Sequence, residues 1–230
     1  MKAGDGSAEA KRRAGEAAAA AVEDGMVVGL GTGSTAAAAI EAIGRAVAEG
    51  LDVRGIPTSA ESATLARDHA IPLTTLAAVD GVDLAIDGAD QVAGGDLVKG
   101  GGAAHTREKL IDAAADRFLV VVDDSKLADA LDWPIPIAAL RGAERVVAGR
   151  IRELGGEATL RPAERKDGPV VTDDGHLVID ADFGAIDDPA RLACSLSAIP
   201  GVVEHGLFVD LADEIYVGTD DGVEVLSGDR

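Results

Sequence analysis

Four short strand-like runs, each joined to the next through a stretch of helical character, constrain this chain more than anything else in it. They are Met26–Leu30, Val53–Ile56, Val82–Ile86 and Phe118–Val122. Short runs of this kind read as buried strands. An Ala-rich segment, 8–23, precedes the first of them. Helices are expected over Thr35–Ala48, stopped by Gly50, over 60–69 behind a Thr58/Ser59 cap, and over 104–115. Strand and helix in alternation predict an α/β fold: a Rossmann-like parallel sheet with helices on both faces.

After Trp133 the rhythm changes. Pro134–Leu140 is apolar and extended, 142–154 has helical spacing, and Glu157–Leu160 is a short strand. Val170-Val171 reads as a further extended piece, and Asp173-Asp174-Gly175 signals a hairpin before Leu177–Ile179. A helix over Pro189–Ala198 stops at Pro200-Gly201, and Val202–Val209 is extended. The order β-α-β-β-α-β is that of a ferredoxin-like α+β unit. We therefore expect a Rossmann-like catalytic domain, 1–130 with 206–230, carrying an inserted ferredoxin-like domain, 131–205. Glu214–Val217 and Val223–Leu226, joined at Asp220-Asp221-Gly222, form a final hairpin that returns to the first domain.

The formal charge of the 230 residues is −20. That argues against a nucleic-acid partner, which requires a basic face, and against an anionic membrane surface. Only six lysines are present against fifteen arginines, and aromatic residues make up 2%. An acid-rich, lysine-poor balance suits a very salty cytoplasm, where screening shortens charge repulsion to about 3 Å at molar salt; the alternative is an ordinary acidic, Ala-rich protein from a high-GC genome. The single cysteine, Cys194, excludes an internal disulfide and a Cys-based zinc site, and its apolar helical setting places it in the core. No apolar run reaches membrane-spanning length, and the expected location is cytoplasmic.

Three segments carry chemistry. In Gly31-Thr32-Gly33-Ser34-Thr35, glycines free the backbone amides just before a helix, an arrangement that binds phosphate. The alternative is a tight turn with Ser34 as a cap. A dinucleotide reading lacks the acid that ends the next strand, and a Walker reading lacks its lysine. Asp87-Gly88-Ala89-Asp90 follows a buried strand, where open α/β sheets place ligands. The alternatives are a polar turn or a carboxylate metal site, and no histidine apart from His105 is spaced to complete the latter. Lys99 then opens Gly100-Gly101-Gly102, which lets backbone approach a ligand closely. Glu108 lies in a helix first turn, a position the helix dipole alone would favour. Acids, a cation and bare backbone within one stretch equip the chain for proton transfer on a polar, anionic small molecule.

Taken together, these residues resemble the ribose-5-phosphate isomerase A family. The matching pieces are Gly31–Thr35 (GTGST), Thr58-Ser59, Asp87–Asp90 (DGAD), Lys99–Glu108 (KGGGAAHTRE), Asp124-Ser125-Lys126 and Ile199–Gly206 (IPGVVEHG). They run in family order over nearly the whole chain. His105 stands where the family usually has leucine, Gln91 where Glu is common, and Asp210 where Asn is frequent.

The resemblance implies interconversion of ribose 5-phosphate and ribulose 5-phosphate through an enediolate, with neither metal nor organic cofactor. It implies Glu108 as the base, Lys99 and the amides of Gly100, Gly101 and Gly102 as oxyanion support, and Asp87 and Asp90 in hydroxyl binding and ring opening. Gly88 and Ala89 complete that loop. Thr32, Gly33, Ser34 and Thr35 would hold the substrate, with Lys11 and Lys126 as phosphate cations. It also implies a homodimer or homotetramer. Two other classes stay open on the residues alone: a different sugar-phosphate enzyme, such as a deaminase or lactonase, and a sugar-phosphate-sensing module. The second is disfavoured because no basic DNA-binding segment accompanies the domain.

Overall fold

The computed structural model describes residues 7–228 and Arg230; Met1–Gly6 and Asp229, which the sequence assigns to the first domain, lie outside the described residues. The chain runs through α1 (Ala8–Ala19), β1 (Val27–Leu30), α2 (Ser34–Ala48), β2 (Arg54–Pro57), α3 (Ala60–Asp68) and β3 (Val82–Gly88). A hairpin of β4 (Gln91–Ala93) and β5 (Asp96–Val98) precedes α4 (His105–Ala114) and β6 (Ala115–Asp123). Next come β7 (Ile135–Ala139), α5 (Glu144–Glu153), β8 (Glu157–Leu160), β9 (Leu177–Asp182), α6 (Pro189–Ser197) and β10 (Val202–His205). β11 (Leu207–Phe208), β12 (Glu214–Gly218) and β13 (Val223–Ser227) close the chain.

The main sheet has the order β13-β12-β6-β3-β1-β2, parallel throughout except for the antiparallel edge strand β13. Its strands are apolar on both faces because both are covered. Val28, Leu30, Leu84, Ile86, Leu119 and Val121 pack beneath α1, α2 and α3, against Ala14, Ala18, Ala39, Ile40, Ile43 and Ala66. Small residues let these helices approach closely: a Cβ at Gly15 would stand 2.7 Å from Thr35 O. On the opposite face, Ala85, Phe118, Val120 and Ile215 meet Ile111 of α4 together with Val92, Leu97 and Phe208. That second face is therefore shared between α4 and a three-stranded sheet, β11-β5-β4, which the sequence reading does not anticipate. Truncating Ile111 to Ala would cost about 2–5 kcal/mol, and it sits on the helix that carries Glu108.

A second, antiparallel sheet has the order β10-β7-β9-β8, and all its strands fall between Ile135 and His205. α5 and α6 pack on it through Val147, Ile151 and Leu196. The β-α-β-β-α-β order appears as read.

Three local expectations need correction. Val202–Val209 is not one strand: β10 belongs to the antiparallel sheet and β11 pairs with β5. The break is at Gly206, whose N–H donates to Pro136 O (2.7 Å) and whose carbonyl accepts from Lys99 N (2.8 Å). Val170-Val171 forms no strand, only a bridge from Val171 to Leu177, since Pro169 has no N–H to extend the ladder. Cys194 is exposed rather than core. The inward stripe of α6 runs through Leu192 and Leu196 towards Ile199, and Cys194 stands about 200° around the helix from Leu192.

Candidate active site

β3 continues through Gly88, pairing Asp87 with Val120 and Gly88 with Val121, so Asp87 lies within the strand and not beyond it. Backbone pairing is indifferent to the polarity of the side chain, and the ladder carries the acid inward. β5 presents Leu97 to the main-sheet core and Val98 to the core of the antiparallel sheet. By the same period of two, Lys99 follows Leu97 towards the main sheet. Its ammonium comes to rest 5.3 Å from the centre of the Phe208 ring. α4 then closes the space, with Glu108 and Asp112 one turn apart on its buried face.

These four side chains form one buried cluster. Lys99 Nζ stands 3.1 Å from Asp87 Oδ2, 3.5 Å from Glu108 Oε2 and 3.9 Å from Asp112 Oδ2, and it donates to the carbonyl of Gly88. Asp87 Oδ1 accepts from the N–H groups of Thr32 (2.9 Å) and Gly88 (2.7 Å). Fully ionised, one ammonium and three carboxylates would leave two uncompensated negative charges out of water, at a cost of several kcal/mol per ion. The acids respond accordingly. Burial pushes the Glu108 carboxyl up to about 8, opposed by Lys99 and reinforced by Asp87 and Asp90. Burial, then Asp87, hold Asp112 well above the usual carboxylate range, and burial raises Asp87 too, against Lys99 and the two amides. For Lys99, burial favours the neutral amine, yet the three carboxylates outweigh it and keep the ammonium.

Above the cluster opens a cavity of about 330 Å³. Thr32, Gly33, Ser34 and Thr35 line one end, with Lys11 from α1 and Lys126 from the turn after β6. Gly88, Ala89, Asp90, Lys99, Gly100, Gly101, Gly102 and Glu108 line the rest. Asp87 alone of the expected site residues is absent from the wall: it is fully buried behind Lys99. Ser34 is not the cap of α2. Gly33 holds that position at φ 108°, without a side-chain hydrogen bond to the helix, so the first turn keeps its donors at the cavity. Ser59 does cap α3, through a reciprocal pair with Ser62, and its Oγ accepts from Thr32 Oγ1 at 2.7 Å. Among the described residues, no group of three or more His, Cys, Asp or Glu side chains is placed to hold a metal ion.

The triple glycine ends in Ala103, which is left-handed at φ 64°. That conformation costs a non-glycine residue about 1–2 kcal/mol. The Ala103 N–H donates to Gly100 O (2.9 Å), closing the turn that aims α4 at Lys99.

Residues 54–222 match the family model for ribose 5-phosphate isomerase A (phosphoriboisomerase A). The chain belongs to the ribose-5-phosphate isomerase A family. A relative of that name from Natronomonas pharaonis is 67% identical over 225 residues, covering 98% of this chain and 100% of the relative. The solved structure of ribose 5-phosphate isomerase A from Methanocaldococcus jannaschii superimposes with a TM-score of 0.91 at 48% identity, covering 95% of this chain and 98% of that one. A D-ribose-5-phosphate isomerase solved in complex with phospho-erythronic acid gives 0.94 at 43% identity, covering 97% and 100%. The haloarchaeal relatives fit the halophile reading of the charge.

Three residues at the site escape the sequence reading. Asp112 is four residues from Glu108, and that spacing on one helix face is a usable signal. Glu61 lines the cavity from the first turn of α3, where an acid is unremarkable. Arg161 reaches the glycine loop from just past the end of β8, about sixty residues away in sequence, with no local signal at all.

Proposed function

We propose that Glu108 is the general base of an aldose–ketose isomerase that interconverts D-ribose 5-phosphate and D-ribulose 5-phosphate, a step of the non-oxidative pentose phosphate pathway. One observation carries the assignment. Glu108 is a buried carboxyl in the cavity wall, 3.5 Å from an ammonium, with its proton affinity raised to about 8. A base poised near the working pH takes and returns a proton most effectively, contributing roughly 10²–10⁴-fold.

In the forward direction Glu108 removes the proton from C2 of the open-chain aldose, and the C1 carbonyl oxygen takes up the charge of the enediolate. Lys99 and the backbone of Gly100, Gly101 and Gly102 stabilise that charge, in a site where water no longer screens it. The O2 proton passes to O1, and Glu108 returns its proton to C1, leaving the ketone at C2. Ring opening moves a proton from O1 to the ring oxygen as the bond from C1 to that oxygen breaks and the C1 carbonyl forms. We assign it to Asp90, in the wall, and Asp87, beside Lys99 beneath it. The donors of Thr32, Gly33, Ser34 and Thr35, with Lys11 and Lys126, hold the phosphate. The isomerisation steps are proton transfers and ring opening adds only the internal cleavage of the C1–ring-oxygen bond, so the reading calls for no cofactor.

On this reading, residues 1–130 with 206–230 form the catalytic domain and 131–205 the inserted one. A homodimer or homotetramer would cover Leu140, Val146 and Leu160, which stand 40–57% exposed on the inserted part. No helix among the described residues is long and apolar enough to cross a membrane, and we place the enzyme in the cytoplasm. Turnover of ribose 5-phosphate, followed in molar salt with and without EDTA, tests the function. Absence of turnover, or its abolition by the chelator, refutes the reading.

A further inference from the structure

Arg161 lies beyond the cavity wall, just past the end of β8, in a unit that contributes no side chain to that wall. Its guanidinium is used from both ends. Nε and Nη2 pair with the carboxylate of Asp180 on β9, Nε at 2.9 and 3.1 Å. Nη1 donates to the carbonyls of two consecutive residues, Gly100 and Gly101, at 3.1 Å each. The backbone of Arg161 is held in turn, its N–H donating to Val178 O (2.9 Å) and its carbonyl accepting from Val170 N (2.9 Å).

A trans peptide is planar, and its C=O and N–H point in opposite directions. Holding the Gly100 carbonyl therefore aims the Gly101 N–H the other way, where it donates to Asp90 Oδ2 at 2.6 Å. Holding the Gly101 carbonyl likewise turns the Gly102 N–H away from Arg161. Glycine offers no side chain to fix these planes; within the loop the Ala103 N–H holds the Gly100 carbonyl, and Arg161 adds a second hold there and holds the Gly101 carbonyl as well. Lysine could not replace it, because one ammonium lacks the planar fork that spans a carboxylate and two carbonyls together.

We propose that Arg161, buttressed by Asp180, is a positioning residue for the isomerisation: it sets the peptide planes of the glycine loop and, through Gly101 N–H, the carboxylate of Asp90. The antiparallel sheet is then part of the catalytic apparatus, not only a surface for association. The proposal rests on the site reading above, in which the loop supports the enediolate and Thr32–Thr35 hold the phosphate, with Thr32 fixed by Asp87 and Ser59 and not by Arg161. Loosening the loop should weaken the transition state and leave phosphate binding in place.

The test compares wild type with Arg161→Met, Arg161→Lys and Asp180→Asn in molar salt. For Arg161→Met, kcat should fall by roughly 10–100-fold, the scale of a misplacement of about 1 Å, while KM stays within about 3-fold. Affinity for phospho-erythronic acid, whose carboxylate offers a planar anion where the enediolate would form, should fall in parallel. Inhibition by inorganic phosphate should not change. Arg161→Lys should fail to restore kcat, and Asp180→Asn should lose less than Arg161→Met. A folded Arg161→Met chain with wild-type kcat would overturn the proposal, as would a loss confined to KM and phosphate affinity. Should Arg161→Met not fold, Arg161→Lys and Asp180→Asn decide by the same split. A wild-type chain without turnover would instead refute the site reading, and phospho-erythronic acid binding would still judge the clamp.

Discussion

Replacing Glu108 by Gln should stop the reaction and make the protein more stable, and the size of the second effect follows from the raised proton affinity of the buried carboxyl. The Glu108 carboxyl has an ordinary value of 4.5 and is pushed up to about 8, chiefly by burial. An acid whose folded value lies above its unfolded one contributes stability that is complete below 4.5 and is lost as pH rises through about 8. By linkage, that loss between pH 4.5 and pH 7 amounts to about 3 kcal/mol. The amide of the Glu108→Gln variant keeps the shape of the side chain and does not ionise, while Lys99 keeps Asp87 at 3.1 Å as its partner. Relative to wild type, the variant should therefore gain about 3 kcal/mol over this interval, read from urea unfolding in molar salt at the two pH values. In wild type, kcat/KM should fall about tenfold per pH unit below 8 as the base is protonated. Two results would refute the reasoning. Parallel stability curves for the two proteins would show that Glu108 does not resist ionisation, and near-normal turnover in the variant would remove it from the base role.

Three further perturbations test other parts of the site. His105 is fully buried, and burial, then Lys109 and Arg161, depress it to about 3 against a weaker opposing effect from the Glu204 backbone. Its contribution is present above 6.5 and lost as pH falls towards 3, so His105→Leu should gain about 1–2 kcal/mol at pH 7 and more at pH 5, with turnover preserved; equal or lower stability in unfolding would contradict this. Lys99→Met leaves Asp87, Glu108 and Asp112 without a cation, and should abolish turnover and cost about 3–5 kcal/mol at pH 8, less as pH falls, since burial pushes all three acids towards the protonated form. A Cβ at Gly206 would collide with the Lys99 carbonyl, so Gly206→Ala should cost about 1–3 kcal/mol and lower kcat, with phosphate inhibition unchanged as the control.

The sequence discloses this fold where local and global rules agree. β1 and β3 are apolar runs, α3 begins at a Ser cap, and the final hairpin turns at Asp221-Gly222, so each can be read from its own residues. The hairpin of β4 and β5 leaves a fainter trace. Val92 and Leu97 flank Gly94-Gly95 symmetrically, but three-residue strands carry too little period to separate them from a loop. Asp87 reads as lying past its strand, not within it, because a polar side chain masks a continuing ladder. Which acids are charged cannot be read at all. Glu108 in a first turn looks like a dipole effect until three carboxylates are seen to share one lysine. Arg161 is harder still, since its partners at the loop are carbonyls, which every residue carries.

The charge of −20 and the site's need to hold a sugar phosphate set a conflict that geometry resolves. Of six lysines, Lys11, Lys99 and Lys126 line the same cavity, so half of the scarce cation type is concentrated around the site proposed for the anion. The acidic surface acts through water, and at molar salt its reach shrinks to about 3 Å. Lys99 lies 2% exposed among its carboxylates, where mobile ions do not enter and screening is slight. Salt therefore removes the repulsion that would keep a phosphate away while leaving the buried electrostatics of the reaction intact. An acidic surface and an anionic substrate are compatible because the two fields occupy media of different screening.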